Sequence, residues 1–136
     1  MHPIEINALD HVVLRVRDLD ASLAFYRDAL GLTIERQLDI GLVQLRAGAS
    51  LIDLVPVSSQ LGKLGGAGPG IDARNMDHFA LELGRFDAAA IAAHLTAHGI
   101  EHGAPSQRYG AKGTGPSIYI KDPDGNTVEL KGPATE

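Results

Sequence analysis

Two histidines in this chain occur in the same local phrase, Asp10-His11-Val12-Val13-Leu14 and Asp77-His78-Phe79-Ala80-Leu81, with the phrases offset by 67 residues. Each half then carries a carboxylate in a later β-rich run, Asp53 within residues 51–57 and Glu129 within residues 127–131. Neutral imidazole with carboxylate suits one divalent metal such as Ni, Zn, Fe, Mn or Co, and three or four protein ligands leave positions for water or substrate. A single His on a strand is ordinarily a half-exposed polar residue. Its recurrence, with an acid following each time, makes His11, Asp53, His78 and Glu129 a candidate ligand set. The chain has no cysteine, which restricts a metal site to His, Asp and Glu. It also excludes a disulfide framework, a thiolate nucleophile, a zinc ribbon and an iron–sulfur cluster.

The elements that must position these residues also repeat. After the first phrase, Asp18-Leu19-Asp20 precedes Leu23, Tyr26 and Leu30, an apolar stripe at helical spacing that stops at Gly31. After the second, Asp87 precedes Ile91 and Leu95, and the pattern stops at Gly99. Each copy predicts a strand, a helix with an Asp N-cap, and a glycine C-terminal stop. Residues 33–37, 42–46, 51–57, 117–121 and 127–131 read as further strands. The spacing therefore predicts an α+β fold of two β-α-β-β-β modules, residues 6–57 and 75–132, forming a curved mixed sheet around a cleft with helices outside. Residues 58–74 are glycine-rich and read as a linker and a candidate lid.

Alternation sorts the strands into faces. His11, Val13 and Arg15 oppose Val12, Leu14 and Val16; His78, Ala80 and Glu82 oppose Phe79, Leu81 and Leu83. Asp53 shares a face with Leu51 and Val55, and Glu129 with Thr127. If the modules close on a shared cleft, the four candidate ligands converge. Ser117, Tyr119 and Lys121 share a face, and Tyr119 is placed to donate a hydrogen bond to a developing oxyanion. Arg15, Gln44, Arg46 and Glu82 also fall away from the helices. They either recognise a substrate carboxylate or phosphate or are simply solvated. Asp10 and Asp77 are expected on the opposite face from the histidines, as turn or cap groups. His94 and His98 read as structural residues near a helix C-terminus.

With 136 residues, 14.3 kDa and 44% hydrophobic content, the chain is sized for a single domain, residues 1–136. Its net charge of −5 disfavours nucleic acid and anionic membrane surfaces as partners. It contains no apolar run long enough to span a bilayer and no secretion signal, so a cytoplasmic location is expected.

The opening Leu9-Asp10-His11-Val12-Val13-Leu14-Arg15-Val16, followed by Phe25-Tyr26-Arg27-Asp28-Ala29-Leu30-Gly31-Leu32, resembles the first module of the vicinal oxygen chelate superfamily. The phrase Asp122-Pro123-Asp124-Gly125-Asn126-Thr127-Val128-Glu129-Leu130 resembles its final metal-ligand strand. That superfamily includes glyoxalase I, extradiol dioxygenases, fosfomycin-resistance proteins and bleomycin-resistance proteins. The resemblance implies paired modules, often in a homodimer, holding a divalent metal that chelates adjacent oxygens of a small-molecule substrate. His11, His78 and Glu129 match the two-His, one-carboxylate set. Asp53 falls where glyoxalase I has a fourth ligand, a Glu; one methylene shorter, Asp53 either ligates or serves as a base.

The resemblance favours a glyoxalase-like lyase or isomerase. There the metal polarises a carbonyl and stabilises an enediolate, and Asp53 and Glu129 are the candidates to move the proton. An extradiol dioxygenase is the alternative, but Lys112 stands where that group expects a His. A fosfomycin-resistance transferase would use Ser117, Tyr119, Lys112 and Arg108 for a phosphonate, while Val13 and Phe79 replace its substrate-contacting Thr and Tyr. A metal-free binding protein, as in the bleomycin-resistance group, fits poorly with the retention of all four potential ligands. Lys121 and Arg15 complete the candidate substrate-binding residues. The site forms either within one chain or across a dimer.

Overall fold

The computed structural model describes residues 2–136. In chain order the first module contains β1 (His11–Val16), α1 (Leu19–Leu23) continued by a π-helical segment (Ala24–Ala29), β2 (Thr33–Leu38), β3 (Leu42–Ala47) and β4 (Ser50–Pro56). A short helix α2 (Gln60–Lys63) precedes the second module of β5 (His78–Glu82), α3 (Ala88–Ala97), β6 (Ser106–Gly110), β7 (Gly113–Lys121) and β8 (Thr127–Lys131). The α+β class and the two β-α-β-β-β units are as the periodicities predict.

Local chemistry explains the helix boundaries. The Asp18 carboxylate accepts the amide of Ala21 at 3.1 Å, and that of Asp87 accepts the amide of Ala90 at 3.1 Å. Each satisfies a helix-start donor that would otherwise lack a partner. An offset of 67 lays Asp20 over Asp87, but the capping residue of the first helix is Asp18, two positions earlier. Gly31 and Gly99 end the two helical segments with φ of 80° and 69°, a region that disfavours residues with a Cβ.

Each module makes its own four-stranded sheet, in the orders β1-β4-β3-β2 and β5-β8-β7-β6. In both, the first strand runs parallel to the last and the helical crossover lies between them in sequence. One core joins the modules. Leu14, Val16, Tyr26, Leu45, Ile52 and Leu54 from the first pack in the same cluster as Leu95, Ile120 and Val128 from the second. Burying one such side chain contributes about 1.5–3 kcal/mol, so the helix-facing sides of both sheets bind the halves together.

The single curved sheet expected from the sequence is instead two sheets, because among the described residues no strand pair joins them. The free edge of β1 is satisfied by side chains of the second half. Asn75 accepts the Arg15 amide at 3.3 Å and donates to the Arg15 carbonyl at 3.0 Å, as a neighbouring strand would. Asp124 accepts the Arg17 amide at 3.1 Å. These side chains supply partners the edge would otherwise take from another strand.

Two glycine-rich stretches are ordered. Residues 109–119 form most of the β6–β7 hairpin, with Gly113 at φ 117° in its turn. The chain end runs along it, Thr135 donating to the Thr114 carbonyl at 2.7 Å and Thr114 to that of Glu136 at 3.2 Å. Residues 58–74 include α2 and lie as a strap against the first module. A Cβ on Gly62 would sit 1.9 Å from the Pro56 carbonyl oxygen, and one on Gly65 would sit 2.6 Å from the Arg15 guanidinium carbon. The glycines there permit close approach rather than flexibility.

Candidate functional site

Strand register brings the candidate ligands together in pairs. In the second module Ala80 is opposite Glu129, two residue pairs along from His78 opposite Thr127, so that Glu129 and His78 point to the same face. His78 Nε2 lies 3.6 Å from Glu129 Oε1. The Glu129 side chain is 8% exposed and that of His78 39%. In the first module Val13 is opposite Asp53, placing Asp53 in the corresponding row to His11. Among the described residues of one chain, however, no three His, Asp or Glu side chains gather as a metal cluster. The four candidates therefore lie as two pairs rather than as one group.

Asp53 is almost fully buried. Its Oδ2 accepts from Gln44 Nε2 at 3.0 Å, and Arg36 Nε donates to Gln44 Oε1, so the amide is held with its donor toward the acid. Asp53 Oδ1 is buried without a hydrogen-bond partner among the described residues. Leaving a carboxylate oxygen so is costly unless something else binds it.

Tyr119 pairs with Glu129 across β7 and β8. Its ring stands edge-on to the His78 ring at 5.6 Å, and the Arg108 guanidinium lies 4.0 Å over it. Arg108 Nη1 also donates to the Ser117 hydroxyl at 2.7 Å and the Ser117 carbonyl at 2.9 Å. Each half therefore carries a row of His, acid, a polar side chain on the next strand (Gln44 or Tyr119) and an arginine from the outer strand. Register aligns Asp53, Gln44 and Arg36 in one row and Glu129 with Tyr119 in the other, whereas Arg108 is opposite Gly115 and reaches Tyr119 through its side chain. The sequence alone does not single out Arg36.

Other expected contacts are placed differently. Arg15 does not point a free guanidinium at the cleft. It donates to the strap carbonyls of Gly66 at 2.6 Å, Ala67 at 3.0 Å and Gly62 at 3.1 Å. Ser117 is fully buried beneath Arg108. Lys112 reaches Glu82 at 2.8 Å on the exposed rim, and Lys121 reaches Thr127 Oγ1 at 3.3 Å. His94 Nε2 meets the Ala29 carbonyl at 2.7 Å and ties α3 to the π-helical segment.

Asp10 and Asp77 correct the reading of them as turn or cap groups on the far face. Asp10 Oδ2 is 2.7 Å from His11 Nδ1, and Asp77 Oδ2 is 2.6 Å from His78 Nδ1. Strict alternation fails here because each Asp stands just before its strand begins, where its carboxylate can turn toward the following ring. The bond to Asp10, reinforced by the charge of Asp53, raises the His11 pKa against a smaller desolvation effect. The His78 contact holds the Asp77 carboxyl below the ordinary carboxylate range.

The donor set fits a divalent metal in chemistry and local spacing. With Nδ1 of both histidines engaged, Nε2 is the nitrogen left to ligate. Two donors each about 2.1 Å from one tetrahedral ion stand about 3.4 Å apart, close to the observed His78 to Glu129 separation. The unpartnered Asp53 oxygen is a further hard donor. A cleft of about 1090 Å³ opens between the π-helical segment, residues 98–103 and the ends of β7 and β8. It takes in Tyr119, Lys121 and Thr127 but none of the four candidate ligands.

Similar proteins agree with this architecture. The glyoxalase domain-containing protein RDO1 of Mycosarcoma maydis is 32% identical over 129 residues, covering 93% of this chain and 69% of that protein. The crystal structure of virulence protein STM3117 from Salmonella typhimurium is 26% identical with a TM-score of 0.74, covering 96% of this chain and all (100%) of that one. Lactoylglutathione lyase from Agrobacterium tumefaciens is 25% identical with a TM-score of 0.68, covering 93% and 94% of the two chains. Among the described residues no helix is long and apolar enough to cross a membrane. Residues 8–130 match the Glyoxalase/Bleomycin resistance protein/Dioxygenase superfamily, and the chain belongs to it.

Proposed function

We propose that the protein is a metal-dependent lyase or isomerase of glyoxalase type, acting on a small carbonyl compound or its thiol adduct, with each site completed by two chains. The observation that carries this reading is the matched pair of half-sites, His11 with Asp53 and His78 with Glu129, held apart in one chain. A second copy that sets the His11 half against the partner's second module brings two imidazoles and two carboxylates together. Exposed Ile4, Ile6 and Leu9 before β1, and Val13 on its cleft face, give that association an apolar surface.

His11, His78 and Glu129 would hold the metal, which when bound supplies Lewis-acid polarisation of a carbonyl. The chain's own groups do the rest. The Asp53 carboxylate is the base that takes a proton from the carbon beside the carbonyl, and Glu129 is the other carboxylate available for the transfer. Gln44 and Arg36 keep Asp53 fixed and its second oxygen occupied. Tyr119, clamped between His78 and Arg108, donates its hydroxyl toward the oxygen where charge develops. Lys121 and Lys112 stand at the rim for an anionic portion of substrate.

Metal analysis of purified protein with His78→Ala and Glu129→Gln, together with a hemithioacetal isomerisation assay, tests this. Stoichiometric divalent metal in the parent, loss in both variants and isomerase turnover are expected. Equal metal in all three proteins overturns the site. Iron with oxygen-dependent catechol cleavage would replace the reaction by ring-opening dioxygenation.

A further inference from the structure

We infer that Asp10 and Asp77 are positioning residues that hold His11 and His78 in the Nδ1–H form, leaving each Nε2 lone pair for the metal. The inference rests on the metal reading above and adds to it how the ligands are prepared.

The contacts are 2.7 Å for Asp10 and 2.6 Å for Asp77, both to Nδ1. An ionised carboxylate only accepts, so the proton of a neutral imidazole must sit on Nδ1, and Nε2 is left as the acceptor. Free histidine favours the opposite form, so the aspartates oppose an intrinsic preference. The arrangement occurs twice, once in each module, at matching strand starts. For His78 the freed nitrogen is the one facing Glu129 at 3.6 Å.

A packing role does not account for the aspartates. Their side chains are 92% and 85% exposed, and each makes its one side-chain hydrogen bond among the described residues to the histidine. Carboxylates behind ligating histidines fix ring orientation and raise ligand basicity.

Asp10→Ala, Asp77→Ala and the corresponding Asn variants test this in two measurements on the intact protein. In the first, long-range proton–nitrogen NMR is recorded without metal at a pH where the imidazoles are neutral. The parent is expected to show His11 and His78 with the proton on Nδ1. Each Ala variant shifts its own histidine toward Nε2–H, while Asn, whose carbonyl still accepts, keeps the parent form. In the second, Zn(II) titration by calorimetry is expected to weaken about 10–100-fold in the Ala variants and less in the Asn variants. Thermal unfolding of all four is expected to match the parent, because the aspartates are exposed.

Nε2–H histidines in the parent, or Ala variants with unchanged spectra and unchanged Zn(II) affinity, overturn the inference while leaving the metal site standing. A parent that takes up no Zn(II) overturns the metal reading and this inference with it.

Discussion

The Tyr26 hydroxyl of the first module donates to the Asp122 carboxylate of the second at 2.6 Å, with both groups buried. Asp122 is otherwise occupied in its own turn. Its Oδ1 accepts the amides of Asp124 and Asn126 at 3.0 and 2.8 Å, and its Oδ2 accepts the Asn126 side chain at 2.8 Å. Burial and the neighbouring carboxylates push the Tyr26 pKa upward, so it remains a donor. The bond fastens the π-helical segment to the turn that leads into the Glu129 strand.

Tyr26→Phe is therefore expected to cost about 1–3 kcal/mol, because a buried carboxylate oxygen loses its hydroxyl donor while the ring packing remains. Urea unfolding measures this. A midpoint and slope equal to the parent's would contradict the role given to the bond.

The strap is held by one guanidinium on three carbonyls and by glycines that allow the approach. Gly62→Ala is expected to destabilise the fold, since its Cβ would meet the Pro56 carbonyl oxygen at 1.9 Å. Arg15→Gln is expected to leave the two modules folded and to speed proteolytic nicking within residues 58–74, because strap carbonyls lose their charged donor. Nicking elsewhere, at the parent's rate, would show that Arg15 does not retain the strap.

Asp124 gives a pH signature. Its Oδ1 holds the Arg17 amide, but its Oδ2 is buried without a partner among the described residues, and burial, with the nearby Asp122 and Asp18 charges, raises its pKa against the Arg17 bond. A carboxyl that binds its proton more tightly when folded favours the folded state least when ionised. Its contribution falls as pH rises from the unfolded value of about 3.9 through the raised folded value. Asp124→Asn is expected to gain stability relative to the parent across that window. Thermal melts of both proteins between acid and neutral pH check the sign, and a difference independent of pH would contradict it.

If two chains complete each site, inactive variants from opposite halves should complement. A hybrid dimer of His11→Ala and Glu129→Gln has one site with both lesions and one with neither. Mixing and re-forming dimers is expected to restore about one metal and one active site per hybrid, as symmetric exchange of halves requires. Sites built within one chain would restore nothing, since every site would then carry a lesion.

Much of this arrangement is legible in residue order because it depends on local rules. Alternation separates His11 from Leu14 and Glu129 from Val128, and an Asp ahead of each apolar stripe marks the helix starts at Leu19 and Ala88. Those signals act over a few residues, so sequence carries them. The β6–β7 hairpin escapes because Gly110, Gly113, Gly115 and Pro116 obscure strand patterning. Those glycines serve the turn at Gly113 and the close passage of Pro133 at Gly115, which appear only when the chain end is in place.

By itself, then, the sequence determined two duplicated modules, the apolar and polar faces of their strands, and the donor types available to a metal. Tertiary structure decided what those groups meet. Asn75 rather than β5 satisfies the edge of β1, strap carbonyls rather than substrate hold Arg15, and Arg36 and Gln44 fix Asp53. That no three of His11, Asp53, His78 and Glu129 gather within the described residues of one chain belongs to the same class of fact. Each depends on where segments tens of residues apart come to rest, and that is set by the packed core shared between the modules rather than by any local pattern.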